Sequence, residues 1–257
     1  MTQTGRAVYD VADFMTGPPA PPATVVALVP ARAGSQRVPH KNRRLLGERP
    51  LWQWTTDLAI ASQLFQGVYV VTDDPVMLDA VSLPIVALPR ATARDDEADI
   101  VWLQSAVRTL RQMGVIPDAY MVLRPTSPFR TVDMLRRAWA QFQVSTTDSL
   151  RAVEPATDHP GKMWYVDGPG HAMRPVLDRL RDDGVPLHSC PTQSLRPVFR
   201  QTASLEIVWR RVIEEQRSLS GQVIMPFLTV GREGFDINTE ADFSRAEQMV
   251  YDDSHTS

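Results

Sequence analysis

The chain has 257 residues, of which 43% are hydrophobic, and a formal net charge of -3. It is long enough for one large α/β domain, and its charge balance argues against a protein that binds nucleic acid through a general positive field. Its single cysteine, Cys190, excludes an intrachain disulfide and cysteine-type zinc clusters, and no apolar run reaches the ~18 residues of a membrane span.

Residues 1–23 have the composition of a disordered or extended tail. The segment TGPPAPPAT is rich in proline, which cannot donate the hydrogen bonds of a strand ladder. No basic region followed by an apolar stretch marks a secretory signal. We therefore expect a cytoplasmic protein, folded over residues 24–257, that has neither a membrane nor a nucleic acid as its partner.

From Val25 onward, apolar strands alternate with helical patterns. The predicted strands are 25–29, 68–72, 85–89 and 119–125. The predicted helices are 51–62, one opening at Pro75, 100–113 and one from Thr131 to about 142. Continuously apolar strands with short connections are typical of a doubly wound, mostly parallel α/β sheet of the Rossmann-like type. The loops after the carboxyl ends of such strands line a ligand crevice.

The pattern changes near Ser149. Residues 149–200 are rich in proline, glycine and charge, and we interpret them as an irregular arm inserted into the domain. The later predicted elements are a strand at 204–209, a helix at 210–218, a strand at 224–230 in which Pro226 favours an edge position, and a helix at 240–251 capped by Thr239.

The loop after the first strand carries the strongest chemical signal. It contains Gly34, Ser35 and the cations Arg32, Arg37 and Lys41. A strand that runs into a flexible basic loop presents N–H groups and positive charges to phosphates, although a solvated basic loop is the alternative. The loop matches neither G-x-G-x-x-G nor G-x-x-x-x-G-K-[ST], which argues against dinucleotide oxidoreductases and P-loop ATPases.

Four segments in order resemble the cytidylyltransferases that make CMP-activated sugar acids, in particular the N-acylneuraminate cytidylyltransferases. They are PARAGSQRVPHKN (30–42), VTDD (71–74), LRPTSPFRT (123–131) and FDINTEADF (235–243). The resemblance extends over about residues 24–245. It implies that an acceptor oxygen attacks the α-phosphorus of CTP and pyrophosphate leaves, with Mg²⁺ or Mn²⁺ as cofactor. It also implies a homodimer formed through the inserted arm.

The resemblance assigns roles by position. The implied nucleotide-binding residues are Ala31, Arg32, Gly34, Ser35, Lys41, Asn42 and Arg90. The implied acceptor-binding residues are Arg124, Thr126, Ser127, Lys162, Arg200 and Gln201. Asp236 and Asn238 match the metal pair, and Arg32, Lys41 and Asp236 are the implied catalytic residues. A surface ion pair is the alternative role for Arg32, and a helix cap is the alternative for the segment of Asp236.

Some positions depart from the family pattern. Gln36 stands where many relatives carry lysine, Asn238 replaces an aspartate, and Arg124 stands where many sialic acid enzymes carry glutamine. A guanidinium suits a carboxylate or a phosphonate. Three functions therefore stay open: CMP transfer to a sialic-acid-like keto-sugar acid, CMP transfer to a small anionic phosphonate, and nucleotide binding without catalysis.

Overall fold

The computed structural model describes residues 23–35, 37–92 and 98–255. It divides into two compact units, one containing residues up to Ala152 and from Thr202 onward, the other Val153–Gln201. The predicted tail lies outside the described residues, except for Ala23, and so does Gln36.

Seven strands of the described residues form the central sheet. They are β1 (Val25–Pro30), β2 (Val68–Thr72), β3 (Ile85–Pro89), β4 (Ala119–Val122), β5 (Ser149–Pro155), β6 (Phe199–Trp209) and β7 (Ile224–Leu228). Their order across the sheet is β7-β5-β6-β4-β1-β2-β3. Strands β1 to β4 run parallel to one another, and β6 is antiparallel to β4. The predicted doubly wound, mostly parallel α/β sheet is confirmed.

Helices connect and cover these strands. They are α1 (Leu51–Ser62), α2 (Pro75–Ala80), α3 (Asp99–Gln112), α4 (Val132–Gln143), α5 (Arg210–Glu215) and α6 (Glu240–His255). Two-stranded ladders pair Leu45–Leu46 with Arg49–Pro50 and, in the second unit, Trp164–Tyr165 with Arg174–Pro175. In the part of the chain that the structure describes, no helix is long and apolar enough to cross a membrane.

Two helices begin where the sequence predicted, because a side chain caps each of them. The Asp74 carboxylate accepts a hydrogen bond from the Val76 N–H at 3.0 Å, and Pro75 opens α2. The Thr131 hydroxyl accepts from the Met134 N–H at 3.0 Å at the start of α4. Each cap also fixes the loop that precedes it, and both loops lie at the carboxyl edge of the sheet.

The inner strands β1, β2 and β4 are buried on both faces, which explains their continuously apolar sequences. Alternate residues of β1 belong to opposite hydrophobic clusters: Val25, Ala27 and Val29 pack on one face, and Val26 and Leu28 on the other. A third, separate cluster joins the loop after β1 to α1 and α6; its buried members are Val38, Leu46, Leu51, Ile237, Phe243 and Ala246.

Residues 149–155 differ from the prediction of an irregular arm that begins at Ser149. They form β5 in the central sheet, and the second unit begins only at Val153. The strand was missed because Arg151 interrupts its apolar pattern, and the charge of Arg151 is matched by Glu206 in β6. Strand β6 begins at Phe199 rather than at residue 204, while the edge position of β7 confirms the interpretation of Pro226.

We predict that Phe142→Ala destabilises the first unit. Phe142 is fully buried in α4 and stacks on Trp209 with a centroid distance of 4.5 Å. Removing it should lower the free energy of unfolding by about 3–5 kcal/mol, measured by urea denaturation. The control is Ile60→Ala, at a 37% exposed position of α1, which should cost about 0.5 kcal/mol or less. Equal losses in both variants would contradict the assigned core.

Candidate active site

Hydrogen bonds hold the first residue of the loop after β1 to the carboxyl end of β2. The Ala31 N–H donates to the Val71 carbonyl at 2.9 Å, and the Thr72 hydroxyl donates to the Ala31 carbonyl at 2.6 Å. The Ala33 N–H then donates to a carboxylate oxygen of Asp73 at 2.7 Å. The predicted nucleotide loop therefore leaves the sheet in a defined direction, and Asp73 shapes it.

Asn42 closes the same loop on itself. Its buried side-chain amide donates to the Arg32 carbonyl at 2.9 Å, which holds the two ends of the loop together. Gly34 and Ser35 lie between these ends. A Cβ atom built on Gly34 meets no described atom within 4 Å, so the space beside its backbone is open.

Lys41 points from a short 3-10 turn toward the segment before α6. Its ammonium donates to the Ile237 carbonyl at 2.8 Å. Burial lowers the pKa of Lys41 below its ordinary value; the carboxylate of Asp236 opposes this shift, and the charges of Arg37 and Arg32 add to it. The predicted catalytic residues Arg32, Lys41 and Asp236 thus lie close enough for their charges to interact.

Asp236 presents a carboxylate oxygen that needs a partner. Its Oδ2 accepts from the Asn238 side-chain amide at 2.7 Å, whereas Oδ1 is buried and has no hydrogen-bond partner among the described residues. Such an oxygen is costly to bury unless a cation or donor reaches it. Mg²⁺ prefers carboxylate and amide oxygens, so the pair fits the predicted metal site. Within the described ranges no three His, Cys, Asp or Glu side chains gather around a metal position, so this ligand set is partial.

The cap of α6 is made by neighbours of this pair. The Asp242 carboxylate accepts from the N–H groups of Asn238 and Thr239 at 3.0 and 2.8 Å, and the Asp242 N–H donates to the Thr239 hydroxyl at 3.2 Å. Thr239 is therefore the cap that the sequence predicted. The carboxylate of Asp236 is not needed for this cap.

The turn after β4 comprises residues 123–131. One of its own residues, Arg130, connects it to neighbouring elements by hydrogen bonds. The guanidinium of Arg130 is buried and donates to the Ser204 carbonyl at 2.8 Å, to the Thr55 hydroxyl at 2.6 Å and to the Arg124 carbonyl at 2.8 Å. Burial lowers the pKa of Arg130 to about 9, and Asp236 opposes that shift. Helix α1, strand β6 and the turn are thus held by one side chain.

The predicted acceptor residues of this turn lie beside the segment of Asp236 and Asn238. The Thr126 carbonyl accepts from the Ile237 N–H at 2.8 Å. The hydroxyl of Ser127 is buried and has no hydrogen-bond partner among the described residues. A buried hydroxyl of this kind can bond to a ligand, and acceptor binding by Ser127 stays a prediction.

Arg124 is engaged with two carboxylates. Its Nη2 atom lies 2.7 Å from Asp99 Oδ2 and 3.0 Å from Glu206 Oε1. Burial acts to lower the pKa of Arg124, but the charges of Glu206 and Asp99 raise it above its ordinary value. The structure therefore places Arg124 in an ion-pair network rather than at an open surface.

Arg90 follows β3, and its N–H donates to the Thr72 carbonyl at 3.0 Å. Its guanidinium lies over the ring of Trp102, 6.0 Å from the ring centroid. The predicted nucleotide residue is thus directed toward the first turns of α3. Residues 93–97, between Arg90 and this helix, lie outside the described residues.

Lys162 and Arg200 belong to the second unit, and the charged group of each binds to other residues of that unit. The ammonium of Lys162 donates to the His188 carbonyl at 2.8 Å and to the Cys190 carbonyl. Arg200 forms an ion pair with Glu154. Gln201, the third predicted acceptor residue of this region, is exposed on β6.

Three further residues of the site received no role from the sequence: Arg130, Asp99 and Glu206. Each acts through a partner far away in the chain, such as Ser204 for Arg130 and Arg124 for Glu206. One signal was visible for Glu206, which is a lone acid inside the apolar run LEIVW. A buried strand tolerates such a charge only when a cation matches it.

Comparison with known proteins identifies related sequences. A family model described as Cytidylyltransferase matches residues 26–87. The CMP-N,N'-diacetyllegionaminic acid synthase of Legionella pneumophila is 28% identical over 231 residues, which is 88% of this chain and 96% of that enzyme. The N-acylneuraminate cytidylyltransferase of Escherichia coli is 28% identical over 157 residues, 60% of this chain but 34% of that longer protein.

Two solved structures are similar to this chain over 90% of its length. The structure of CMP:2-keto-3-deoxy-manno-octonic acid synthetase complexed with CTP has a TM-score of 0.66 at 16% identity, covering 90% of this chain and 100% of the other. The 4-diphosphocytidyl-2C-methyl-D-erythritol synthase of Anaerococcus prevotii has a TM-score of 0.61 at 11% identity, with the same coverage. At these identities the similarity establishes the fold alone. The sequence relatives add one finding: the chain is similar, over most of its length, to a synthase that makes a CMP-activated sugar acid, and over a shorter part to an N-acylneuraminate cytidylyltransferase.

Proposed function

We propose that this protein transfers CMP from CTP to the hydroxyl of an acidic sugar and releases pyrophosphate. The observation that carries the proposal is the joining of Lys41, Asp236 and the 123–131 turn at one sheet edge. Ile237 makes both connections: its carbonyl accepts from Lys41 and its N–H donates to Thr126. A nucleotide loop, a carboxylate and an acceptor turn are the parts that such a transfer requires.

In the proposed reaction the acceptor oxygen forms a bond to the α-phosphorus of CTP. The bond from that phosphorus to the bridging oxygen breaks, pyrophosphate leaves with the electron pair, and the acceptor hydroxyl loses its proton to solvent. Lys41 and Arg32 hold the charge that grows on the leaving group, and Ser35 and the backbone beside Gly34 bind phosphate oxygens. The acceptor is oriented by Thr126 and Ser127.

The acidic sugar is favoured over the phosphonate as the acceptor. The relatives that cover most of the chain are enzymes named for sugar acids, such as the CMP-N,N'-diacetyllegionaminic acid synthase of Legionella. The positive charge of Arg124 was one of the arguments for a phosphonate, beside the altered stretch from Arg200 to Ala203, and Asp99 and Glu206 already pair with that guanidinium. Homodimer formation and a cytoplasmic location stay predictions from the sequence.

A panel of acceptors tests the proposal. Purified protein with CTP and Mg²⁺ is mixed with eight- or nine-carbon keto-sugar acids or with small phosphonates, and pyrophosphate release is measured. We expect release with a keto-sugar acid. Release with phosphonates alone would overturn the acceptor class. Binding of CTP in a calorimeter without release for any acceptor would support the non-catalytic alternative instead.

We predict that Lys41→Ala lowers the turnover number by at least tenfold. A cation on departing pyrophosphate contributes over ~1.4 kcal/mol in the transition state. The matched control is Arg49→Ala, which removes an exposed cation paired with Asp57 outside the proposed site. Unchanged kinetics in Lys41→Ala, or an equal loss in both variants, would refute the role of Lys41.

The proposed metal site makes a separate prediction for Asp236. When bound through Asp236 and Asn238, Mg²⁺ supplies positive charge to the phosphate oxygens. We expect Asp236→Asn to shift the Mg²⁺ concentration for half-maximal activity upward by about tenfold, because an amide is a weaker ligand than a carboxylate. Asp252→Asn, in the exposed last turns of α6, is the control. A metal titration that is identical in both variants would contradict the site.

A further inference from the structure

The charge of Arg124 is matched within the protein. Besides the contacts to Asp99 Oδ2 and Glu206 Oε1, its Nη1 atom lies 3.4 Å from Asp99 Oδ1. Glu206 also meets Arg151, whose Nη2 atom lies 3.2 Å from Glu206 Oε2. Arg151 is held in turn by the hydroxyl of Ser220 at 2.7 Å. We call Asp99, Arg124, Glu206 and Arg151 the charge network.

The charge network has two cations and two anions, so it offers no net positive charge to an anionic ligand. The side chain of Glu206 is only 3% exposed and that of Arg124 is 23% exposed, so solvent screens this pair weakly, whereas the side chain of Asp99 is 44% exposed. The carboxylate of an acceptor bound at Arg124 would lie beside the negative charges of Asp99 and Glu206, which would repel it. Displacing Glu206 would leave a buried carboxylate with one cation less, which is costly.

The network connects two parts of the proposed site. Asp99 is the first residue of α3, and its Oδ1 accepts from the Trp102 ring N–H at 2.9 Å. The guanidinium of Arg90, the predicted nucleotide residue, lies over that same ring. At the other end of the charge network, the backbone carbonyl of Arg124 accepts hydrogen bonds from the Arg130 guanidinium at 2.8 Å and from the Ser127 N–H at 3.2 Å. Arg124 therefore contacts the first residue of α3 with its side chain and the 123–131 turn with its backbone.

We propose that Arg124 is a positioning residue, which ties the acceptor turn to the start of α3, and not the group that binds the acid function of the acceptor. This inference rests on the proposed cytidylyl transfer. It replaces the acceptor-binding role that the sequence predicted for Arg124. The geometry of the turn, and with it the Ser127 hydroxyl, then depends on the same ion pair as the geometry around Arg90. CTP and acceptor binding are coupled through Asp99 and Arg124.

The two roles predict opposite effects for Asp99→Asn. If Arg124 bound the acid function directly, loss of a competing negative charge would lower the KM for the acceptor. If Arg124 positions the turn, Asp99→Asn raises the KM for the acceptor and for CTP, each by about threefold or more. Arg124→Gln gives the same pattern, and the double variant is no worse than Arg124→Gln alone because both remove one interaction.

The control removes a comparable pair at the other end of the same helix. Arg111→Gln breaks the exposed contact of Arg111 with Glu214 at 2.6 Å and should leave both KM values unchanged. Thermal unfolding of each variant shows whether it is folded; if Arg124→Gln does not fold, Asp99→Asn alone decides by the direction of its effect. Additive losses in the double variant, or an acceptor KM that falls in Asp99→Asn, would overturn the proposal.

A failure of this inference can be told apart from a failure of the proposed function. CTP affinity is measured by calorimetry without any acceptor or turnover. Weaker CTP binding by Asp99→Asn and Arg124→Gln, with Arg111→Gln unchanged, supports the link to the nucleotide side even if no acceptor reacts. Unchanged CTP affinity in both variants overturns the link, whatever the wild-type protein catalyses.

Discussion

The candidate site depends on the peptide groups of Ile237. The Ile237 carbonyl accepts from the ammonium of Lys41, 196 residues away in the chain, and its N–H donates to the Thr126 carbonyl. The side chain of Ile237 is fully buried in the cluster that includes Val38 and Phe243. Hydrophobic burial therefore sets the position of the segment, and the two hydrogen bonds align the nucleotide loop and the acceptor turn to it. The packing of Ile237 therefore also fixes the position of its neighbour Asp236 at the site.

The same region holds one buried cation, Arg130, and one half-buried cation, Lys41, with few anions beside them. Burial lowers the pKa of both Lys41 and Arg130, and for each of them Asp236 is the carboxylate that opposes the shift most strongly. Desolvated positive charges with an incomplete set of counter-charges favour the binding of an anion, because the anion replaces lost solvation. A triphosphate would meet this requirement, and the proposed divalent cation would satisfy the remaining oxygen of Asp236. A preference of this site for a nucleotide would thus follow from burial as much as from the number of arginines.

The sequence predicted most of the fold because its main signals are local. Apolar runs and caps such as Asp74 and Thr131 depend on a few neighbouring residues, and they placed β1 to β3 and the helix starts. It could not predict interactions that pair distant residues. Arg124 and Glu206 are 82 positions apart, and Arg130 and Ser204 are 74 apart. Strand β5 was missed for the same reason, since the partner of Arg151 lies on another strand. The site positions themselves came from the family resemblance.

Arg124 shows why a departure from a family pattern has to be interpreted together with its surroundings. Taken alone, an arginine in place of a glutamine adds a positive charge to an acceptor pocket and favours a more acidic substrate. In the folded chain, the buried carboxylate of Glu206 and that of Asp99 cancel this charge locally. The departure therefore changes how the turn is anchored, and it changes the net charge available to the acceptor very little. A buried guanidinium without counter-charges would be costly, so Arg124 and its two carboxylates form one structural feature. Only the net charge of the three groups together can indicate a preference for a substrate.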